Sequence, residues 1–218
     1  MKLSVAARSL VLALFLSVLA GCGGGAGGNK GNTIYLGTLL PLQGTEEQTM
    51  LFVREEEKLA RDVYLVLYGQ WGEPTFNNIA TKSEQKHMDS VKAMLDNLGI
   101  ADPVVNDAVG AFTDTAILGL YNQLVTRGGI SLNEALAVGA YIEEYDIVDV
   151  QHAKDEMIAG SNQTPIILTY GNLICGSRNH LRSFVGRIQA GGGTYTAQII
   201  TQAEVDAIVN TPSEQCGQ

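Results

Sequence analysis

The sequence predicts an all-α protein organised as a four-helix bundle. Apolar residues recur at steps of three and four along four long segments, which is the period of an amphipathic helix. Turns that contain glycine or proline separate these segments. The alternation typical of a strand occurs only in two short pieces, 34–40 and 195–200, which could pair or simply be extended. A chain of 218 residues with 45% apolar residues suits one domain, with or without appendages.

The helix ends follow from local signals along the chain. Gly69 and Pro74 end the first helix, and Gly99 ends the second. Ser131, followed by a glutamate three residues later, has the pattern of a capping box that starts the third long helix. A short helix in the tail is expected at 202–209. The other predicted helices are 46–68, 76–98, a shorter crossover helix at 114–126, 132–157 and 164–189, with the bundle at 45–190 and an irregular tail packed on it at 191–218.

The first 21 residues are typical of a secretory signal, because basic residues precede an apolar run, 10–20, that ends in small residues. Residues 19–22, Leu-Ala-Gly-Cys, resemble the bacterial lipoprotein box, which implies that Cys22 becomes a lipid-carrying N-terminus. An ordinary signal peptide or a membrane anchor is the alternative, although the run is short for a span. Residues 22–44 are predicted to be a flexible tether. The expected location is extracytoplasmic and membrane-anchored, with the outer membrane as the default.

The charge balance narrows the classes of partner. The formal net charge is −9, and removal of the signal would take away two positive charges and leave −11. An acidic chain of this kind lacks the basic face that nucleic-acid binding requires, so no nucleic-acid partner is expected. Acidity does not argue against metal ions, because clustered carboxylates bind hard cations.

Cys175 and Cys216 are the two cysteines of the predicted body. An extracytoplasmic compartment permits a disulfide between them, which would tie the tail to the bundle. Two buried or free thiols are the alternative, because the sequence does not give the distance between the two residues.

Glu84 and His87 form the most informative motif. They are three residues apart on a predicted helix and therefore share one face. A Glu-x-x-His unit on a bundle helix holds the metals of di-iron and di-manganese carboxylate proteins. On its own the motif is weak, because charged residues at helical spacing mostly face solvent.

An internal repeat strengthens the motif. If Glu57 is aligned with Glu144, the surrounding residues of the first and third long helices also match. A duplicated helix pair gives a bundle with an approximate two-fold axis, which would bring Glu57 and Glu144 face to face, with His87 and His180 beside them. The matching stretches are 54–63 with 142–150, and 83–87 with 176–180.

The chain resembles the ferritin-like superfamily, and rubrerythrin-type proteins in particular, through Glu57-x-x-Ala60-x-x-x-Tyr64. It also resembles a bacterial and archaeal family of uncharacterised ferritin-like domains, marked by four blocks within residues 54–184: REEEKLARDVY, SEQKHMDSV, ALAVGAYIEEYDI and GSRNHLRSF. The resemblance implies a ferritin-like four-helix bundle with a carboxylate and histidine metal site. Di-iron is suspected, and manganese or a mixed-metal site fits as well. The metal ligands it implies are Glu57, Glu84, His87, Glu144 and His180.

Ser177 departs from the ferritin-like pattern, because it stands where the second Glu-x-x-His unit should have its glutamate. Serine is a poor ligand for iron or manganese. Water could take the place, one metal position could be weak, or a carboxylate outside the pattern could fill in. A site with one metal, or none, therefore remains open. The candidate outer carboxylates are Asp62, Glu143 and Asp149.

Buried carboxylates that face one another favour a bound cation, because ionised buried groups are costly unless they are paired or bound to metal. The alternative is that Glu57 and Glu144 form salt bridges with Arg61, Arg178 or Arg182. Arg178 and Arg182 could instead support the site by pairing with Asp62 and Asp149.

Three functions follow as hypotheses. The first is a lipid-anchored, ferritin-like oxidoreductase that reacts with oxygen or peroxide at its metals. The second is a metal-binding or metal-storage module without turnover, and the third is a metal-free structural bundle. The expected partners are metal ions and the membrane through the lipid anchor, and the sequence leaves a homodimer open.

Overall fold

The computed structural model describes residues 39–217, and this part of the chain contains helices but no strands. The all-α prediction is therefore confirmed. A π-helical segment, Ala80–Glu84, joins α2 to α3 without a break, so that the two form one long helix. The helices are α1 Glu46–Trp71, α2 Pro74–Ile79, α3 Gln85–Leu98, α4 Thr115–Gly128, α5 Leu132–Ala159, α6 Thr164–Ala190 and α7 Gln202–Val209.

The bundle consists of α1, the joined α2–α3 helix, α5 and α6. The α2–α3 helix returns antiparallel to α1 after a two-residue turn. Helix α5 also runs antiparallel to α1, because Tyr64 contacts Glu143 near one end and Thr49 contacts Glu156 near the other. Helix α6 folds back along α5. The four directions are up, down, down and up, and residues 99–131, which contain α4, cross the length of the bundle between the second and third helices.

The core is divided into two apolar halves by a polar layer. One half contains Val63, Leu67 and Phe184, and the other contains Met50 and Val91. Each of the four bundle helices has buried acidic, serine or histidine residues at the level between the two apolar halves. Apolar packing on both sides shields the polar layer from solvent, so its charges must be neutralised locally.

The polar residues of α1 that face away from the layer hold the crossover segment. Glu55 accepts hydrogen bonds from the backbone N–H groups of Thr113 and Asp114. Asp62 pairs with Lys58 and Arg61 and accepts from a backbone N–H of the crossover, so it does not serve as the outer carboxylate of the site. The further anchors are Arg54 to Asp102, Lys58 to the carbonyl of Ala108, and Arg61 to Asp107.

The tail packs on the bundle. A disulfide joins Cys175 of α6 to Cys216, with 5.7 Å between the Cα atoms. Arg178 and Arg182 both form ion pairs with Glu214, whereas the sequence had left open a pairing with either the glutamates of the site or Asp62 and Asp149. Residues 195–200 are irregular and form no strand.

The signal peptide, Cys22 and most of the predicted tether lie outside the described residues. Residues 39–44, which the sequence assigned to the tether, lie against the bundle. Leu39 is buried and its N–H donates to Asn97, while Leu40 exchanges two backbone hydrogen bonds with the side chain of Gln163. None of the described helices combines the length and the apolar character that crossing a membrane requires.

Candidate metal centre

The polar layer brings together two groups of ligand-type side chains that share Glu84. In each group the candidate ligand atoms all lie within 4.8 Å of one another. The two oxygens of Glu84 point in opposite directions, one to His87 Nδ1 at 3.0 Å and one to His180 Nδ1 at 2.9 Å. Glu84 therefore lies where a carboxylate could bridge two cations. The groups are Glu57, Glu84 and His87, and Glu84, Glu143 and His180.

The outer carboxylates complete each group. Glu57 Oε2 lies 3.0 Å from His87 Nδ1, and Glu143 Oε2 lies 3.3 Å from His180 Nδ1. Tyr64 donates a hydrogen bond from its hydroxyl to Glu143 Oε1 at 2.5 Å, which fixes the rotation of that carboxyl group. The layer thus has carboxylates from α1 and α5, a histidine from α6, and a Glu-x-x-His unit from the joined α2–α3 helix.

Both histidines turn Nδ1 towards the carboxylates and Nε2 away from them. His180 Nε2 lies 2.7 Å from Ser83 Oγ, which holds the ring in this orientation. The His87 ring lies against the backbone of α6 at Gly176, where an added Cβ would be only 2.5 Å from Nε2. The two rings are stacked with 5.6 Å between their centroids. A side chain at position 176 would clash with the His87 ring, which explains why this position is a glycine.

The π-helical segment places Glu84. Residues 80–84 form a wider turn that leads into the Glu-x-x-His unit, and the last residue of the turn, Glu84, is the first residue of that unit. Such turns occur mostly as single insertions in α-helices, often at functional sites. The periodicity of the sequence gave no sign of it, because the apolar positions on either side keep helical spacing.

Burial and charge shift the protonation of the cluster. Burial raises the pKa of Glu57 to about 7, against the opposing effect of His87. Burial works against a charged His180, but Glu143 and Glu84 outweigh it and raise its pKa to about 10. The pKa of His87 is raised in the same way by Glu57 and Glu84. Without metal, protonated histidines therefore compensate part of the carboxylate charge at neutral pH.

Glu144, which the sequence placed in the site, does not join the other four predicted residues. It is buried under the tail instead, and Glu143 stands in the position expected of it. Adjacent helix residues point about 100° apart, and on α5 the side chain that reaches Glu84 and His180 is that of Glu143. The donors to the Glu144 carboxylate are the Tyr195 hydroxyl at 2.5 Å and the backbone N–H groups of Gln198, Ile199 and Ile200 at 3.0, 2.6 and 3.0 Å.

Three further buried polar residues belong to the layer. Ser177 is buried one turn before His180, and its hydroxyl donates to the carbonyl of Leu173. Glu56 and Asp146 are both 1% exposed and were not singled out by the sequence. Glu56 directly precedes Glu57, and Asp146 lies one turn after Glu143. These positions in the sequence could have indicated that both residues belong to the layer.

A cavity of about 740 Å³ lies between α3 and α6 and reaches the cluster from one side. His87 and His180 line its inner end, Lys86 lies nearer its mouth, and Leu168 gives it an apolar wall. Residues of the disulfide-linked tail, including Glu214, form part of its rim. The cavity offers a small molecule access to the two imidazole rings.

These features define a helical-bundle protein with a buried carboxylate and histidine cluster suited to metal ions. Residues 46–212 match the family described as "Uncharacterized protein domain (DUF2202)", and the chain belongs to this family. The "Uncharacterized protein MJ0754" of Methanocaldococcus jannaschii is 43% identical over 175 residues, which cover 80% of this chain and 92% of that protein. The crystal structure of hypothetical protein MJ0754 from Methanococcus jannaschii DSM 2661 superposes with a TM-score of 0.75 at 42% identity, covering 81% of this chain and 98% of that one.

Proposed function

We propose that this protein binds two adjacent divalent cations, with iron as the favoured metal and manganese or a mixed pair as alternatives. The observation that carries the proposal is the position of Glu84 between two buried ligand groups, each completed by one more carboxylate and one histidine. The up, down, down, up connectivity with one long crossover is also that of ferritin-like bundles, which hold two metals with Glu-x-x-His units. The proposed ligands are Glu57, Glu84, His87, Glu143 and His180.

The residues of the layer fit such a pair of cations. Carboxylate oxygens and imidazole nitrogens suit iron and manganese. Glu57 Oε1 is buried and accepts no hydrogen bond from residues 39–217. The layer contains five buried carboxyl groups, of which only those of Glu56 and Asp146 are not proposed ligands. Two divalent cations would compensate most of that charge, whereas two protonated histidines compensate less of it.

We further propose that the function is redox chemistry with oxygen or peroxide. When bound, a pair of irons supplies electrons for the reduction of such a molecule. The chain contributes access through the cavity between α3 and α6, where His87 and His180 form the inner wall. The apolar halves above and below the polar layer exclude bulk water from it. Ser83 and Tyr64 hold His180 and Glu143 in their orientations.

A membrane-anchored, extracytoplasmic location remains part of the proposal. It rests on the lipoprotein-like residues 19–22, and the Cys175–Cys216 disulfide supports it, because disulfides persist in oxidising compartments. A Cys22→Ala variant should appear in the soluble fraction, whereas the wild type should partition with membranes. Equal partitioning of both would contradict the anchor.

Anaerobic loading with ferrous iron tests the proposed activity. The purified protein should retain two irons per chain and oxidise them rapidly when oxygen or peroxide is admitted. The His87→Ala variant should lose iron and the reaction. Asp89→Asn, an exposed change on the same helix, should retain both.

Each other outcome assigns a different function. Bound metal without oxidation would favour the storage module and contradict the redox function. Failure of the wild type to retain any metal would favour the metal-free structural bundle.

A further inference from the structure

A row of ionisable residues runs along α5 away from the proposed metal centre. Glu143, Asp146, Asp149 and His152 follow one another at steps of three. Each step falls about 60° short of a full helical turn, so the row winds from the core-facing side of the helix to the solvent side. Burial follows the same course: Glu143 and Asp146 are buried, Asp149 is partly exposed and His152 is exposed.

Glu56 of α1 faces this row across the interface between α1 and α5. Asp146 is close enough to Glu56 and to Glu143 for their charges to raise its pKa, in addition to the larger effect of burial. The charge of Asp149 acts in turn on Glu56, and that of His152 acts on Asp149. The helical spacing and the gradual change in burial, together with these charge effects, place an ionisable group at every step between the cluster and the surface.

Glu56 and Asp146 have no hydrogen-bond partner among residues 39–217 other than each other, and a bond between them requires a proton on one carboxyl group. Both side chains are 1% exposed. With both carboxyl groups ionised, no hydrogen-bond donor within residues 39–217 reaches any of their four oxygens. Two unpaired buried carboxylates that face each other are costly unless a proton or a cation lies between them. Their oxygens are also the ligand type that hydrated divalent cations exchange for water.

The row lies opposite the cavity. Glu56 and Asp146 occupy the side of the bundle formed by α1 and α5, whereas the cavity opens between α3 and α6. A cation and a small oxidant could therefore reach the centre from different sides. The apolar halves close the other two directions.

We propose that Asp149, Asp146 and Glu56 form an uptake path for divalent cations, which leads from the surface at His152 to the central cluster. The proposal rests on the metal centre proposed above and adds the route by which its cations arrive. Asp149 and His152 capture a hydrated cation at the surface. The Glu56–Asp146 pair then holds it in transit, one residue along α1 from Glu57.

The rate of cobalt(II) loading tests the path, with cobalt(II) alone as the probe. Stopped-flow absorbance of the visible cobalt band gives the rate, and metal analysis after equilibration gives the final content. Asp149→Asn should slow loading about tenfold, because a focused negative charge accelerates cation capture by at least this factor. The final cobalt content should equal that of the wild type, since no proposed ligand is changed. Asp149→Glu, which keeps the carboxylate, should restore most of the rate.

Asp89→Asn is the matched control, because it removes one exposed carboxylate from α3, a helix that carries no part of the row. Its loading rate should change by less than about twofold, since salt screens an exposed charge. Full cobalt content with an unchanged rate in Asp149→Asn, or equal slowing in both variants, would overturn the path but not the centre. A wild-type chain that binds no cobalt would overturn both.

Discussion

Two neighbouring glutamates on α5 have different tasks. Glu143 faces the polar layer, where it contacts His180 and accepts a hydrogen bond from Tyr64. Glu144 faces outwards and accepts four hydrogen bonds from the tail, three of them from consecutive backbone N–H groups. An identical side chain thus serves the proposed centre at one position and the attachment of the tail at the next.

Glutamine substitutions should separate these tasks. Glu143→Gln should weaken binding of manganese(II) at least about tenfold, which is the usual cost of disturbing a metal site. Glu144→Gln should leave that affinity unchanged and lower the free energy of unfolding by about 1–3 kcal/mol, because buried hydrogen bonds to a charged acceptor are lost. Calorimetric titration and urea unfolding measure the two effects. The reverse assignment of effects would show that Glu144 is the ligand.

The raised pKa values predict how the metal-free protein responds to pH. His180 has a pKa of about 10 in the folded chain, against about 6.5 when unfolded. A group with a raised pKa stabilises the folded state fully below its unfolded value, and this stabilisation is lost as the pH rises through the folded value. The melting temperature in the presence of a chelator should therefore fall between pH 6.5 and 10.

Metal binding should depend on pH in the opposite direction. Metal ions compete with protons for the same nitrogens, so manganese(II) affinity should increase with pH over this range. His180→Asn should flatten the fall in melting temperature of the metal-free chain. A wild-type melting temperature that increased with pH under chelation would contradict the ion pairs described for this cluster.

Among the helices of the bundle, α6 supports the site through its backbone. Gly176→Ala should displace the His87 ring, because the new Cβ would lie 2.5 Å from Nε2, and manganese(II) affinity should fall at least about tenfold. Gly186→Ala on the same helix meets open space and should instead stabilise the protein by about 1 kcal/mol through helix propensity. Metal titration and thermal unfolding of both variants check this. Equal metal affinity in the two would mean that His87 does not depend on this contact.

The sequence predicted the helices well, because glycine and proline mark their ends and apolar spacing marks their interiors. Ser131, for example, caps α5 by accepting a hydrogen bond from the backbone N–H of Glu134, although the Glu134 side chain pairs with Arg127 and does not complete the predicted capping box. The π-helical turn before Glu84 was missed, since an extra residue in one turn leaves the apolar pattern around it intact.

The site was predictable where one helix carries two of its residues. The spacing of Glu84 and His87 predicted that they share a face, and they do. The choice of Glu143 over Glu144 follows from the phase of α5. Val150 and Met157, two and four turns beyond Glu143, are buried, whereas Val148 and Gln151, one and two turns beyond Glu144, are exposed. The alignment of Glu57 with Glu144 in the internal repeat pointed to the neighbouring residue instead.

Across the molecule, the attachments of the tail to the bundle include a buried carboxylate, two ion pairs and a disulfide. Glu144 binds residues 195–200, Arg178 and Arg182 bind Glu214, and the disulfide joins Cys216 to α6. The last two attachments also shape the rim of the cavity that leads to the histidines. The covalent link closes a loop of 41 residues.

Loss of the disulfide should therefore destabilise the fold without removing the metal ligands. Cys216→Ser should lower the free energy of unfolding by about 2–4 kcal/mol, the usual contribution of a native disulfide. Manganese(II) stoichiometry should stay unchanged. Urea unfolding of the wild type with and without reductant should show the same difference, and a wild type insensitive to reductant would contradict a stabilising bridge.

Glu84 lies between the two ligand groups of the bundle, and anomalous X-ray diffraction from iron-loaded crystals would show whether metal binds on both sides of it. Two iron peaks are expected in the polar layer, one on each side of the Glu84 carboxylate. One peak should contact Glu57 and His87, and the other should contact Glu143 and His180. The absence of iron from the layer, or iron bound at Glu144 instead of Glu143, would contradict the proposed metal centre.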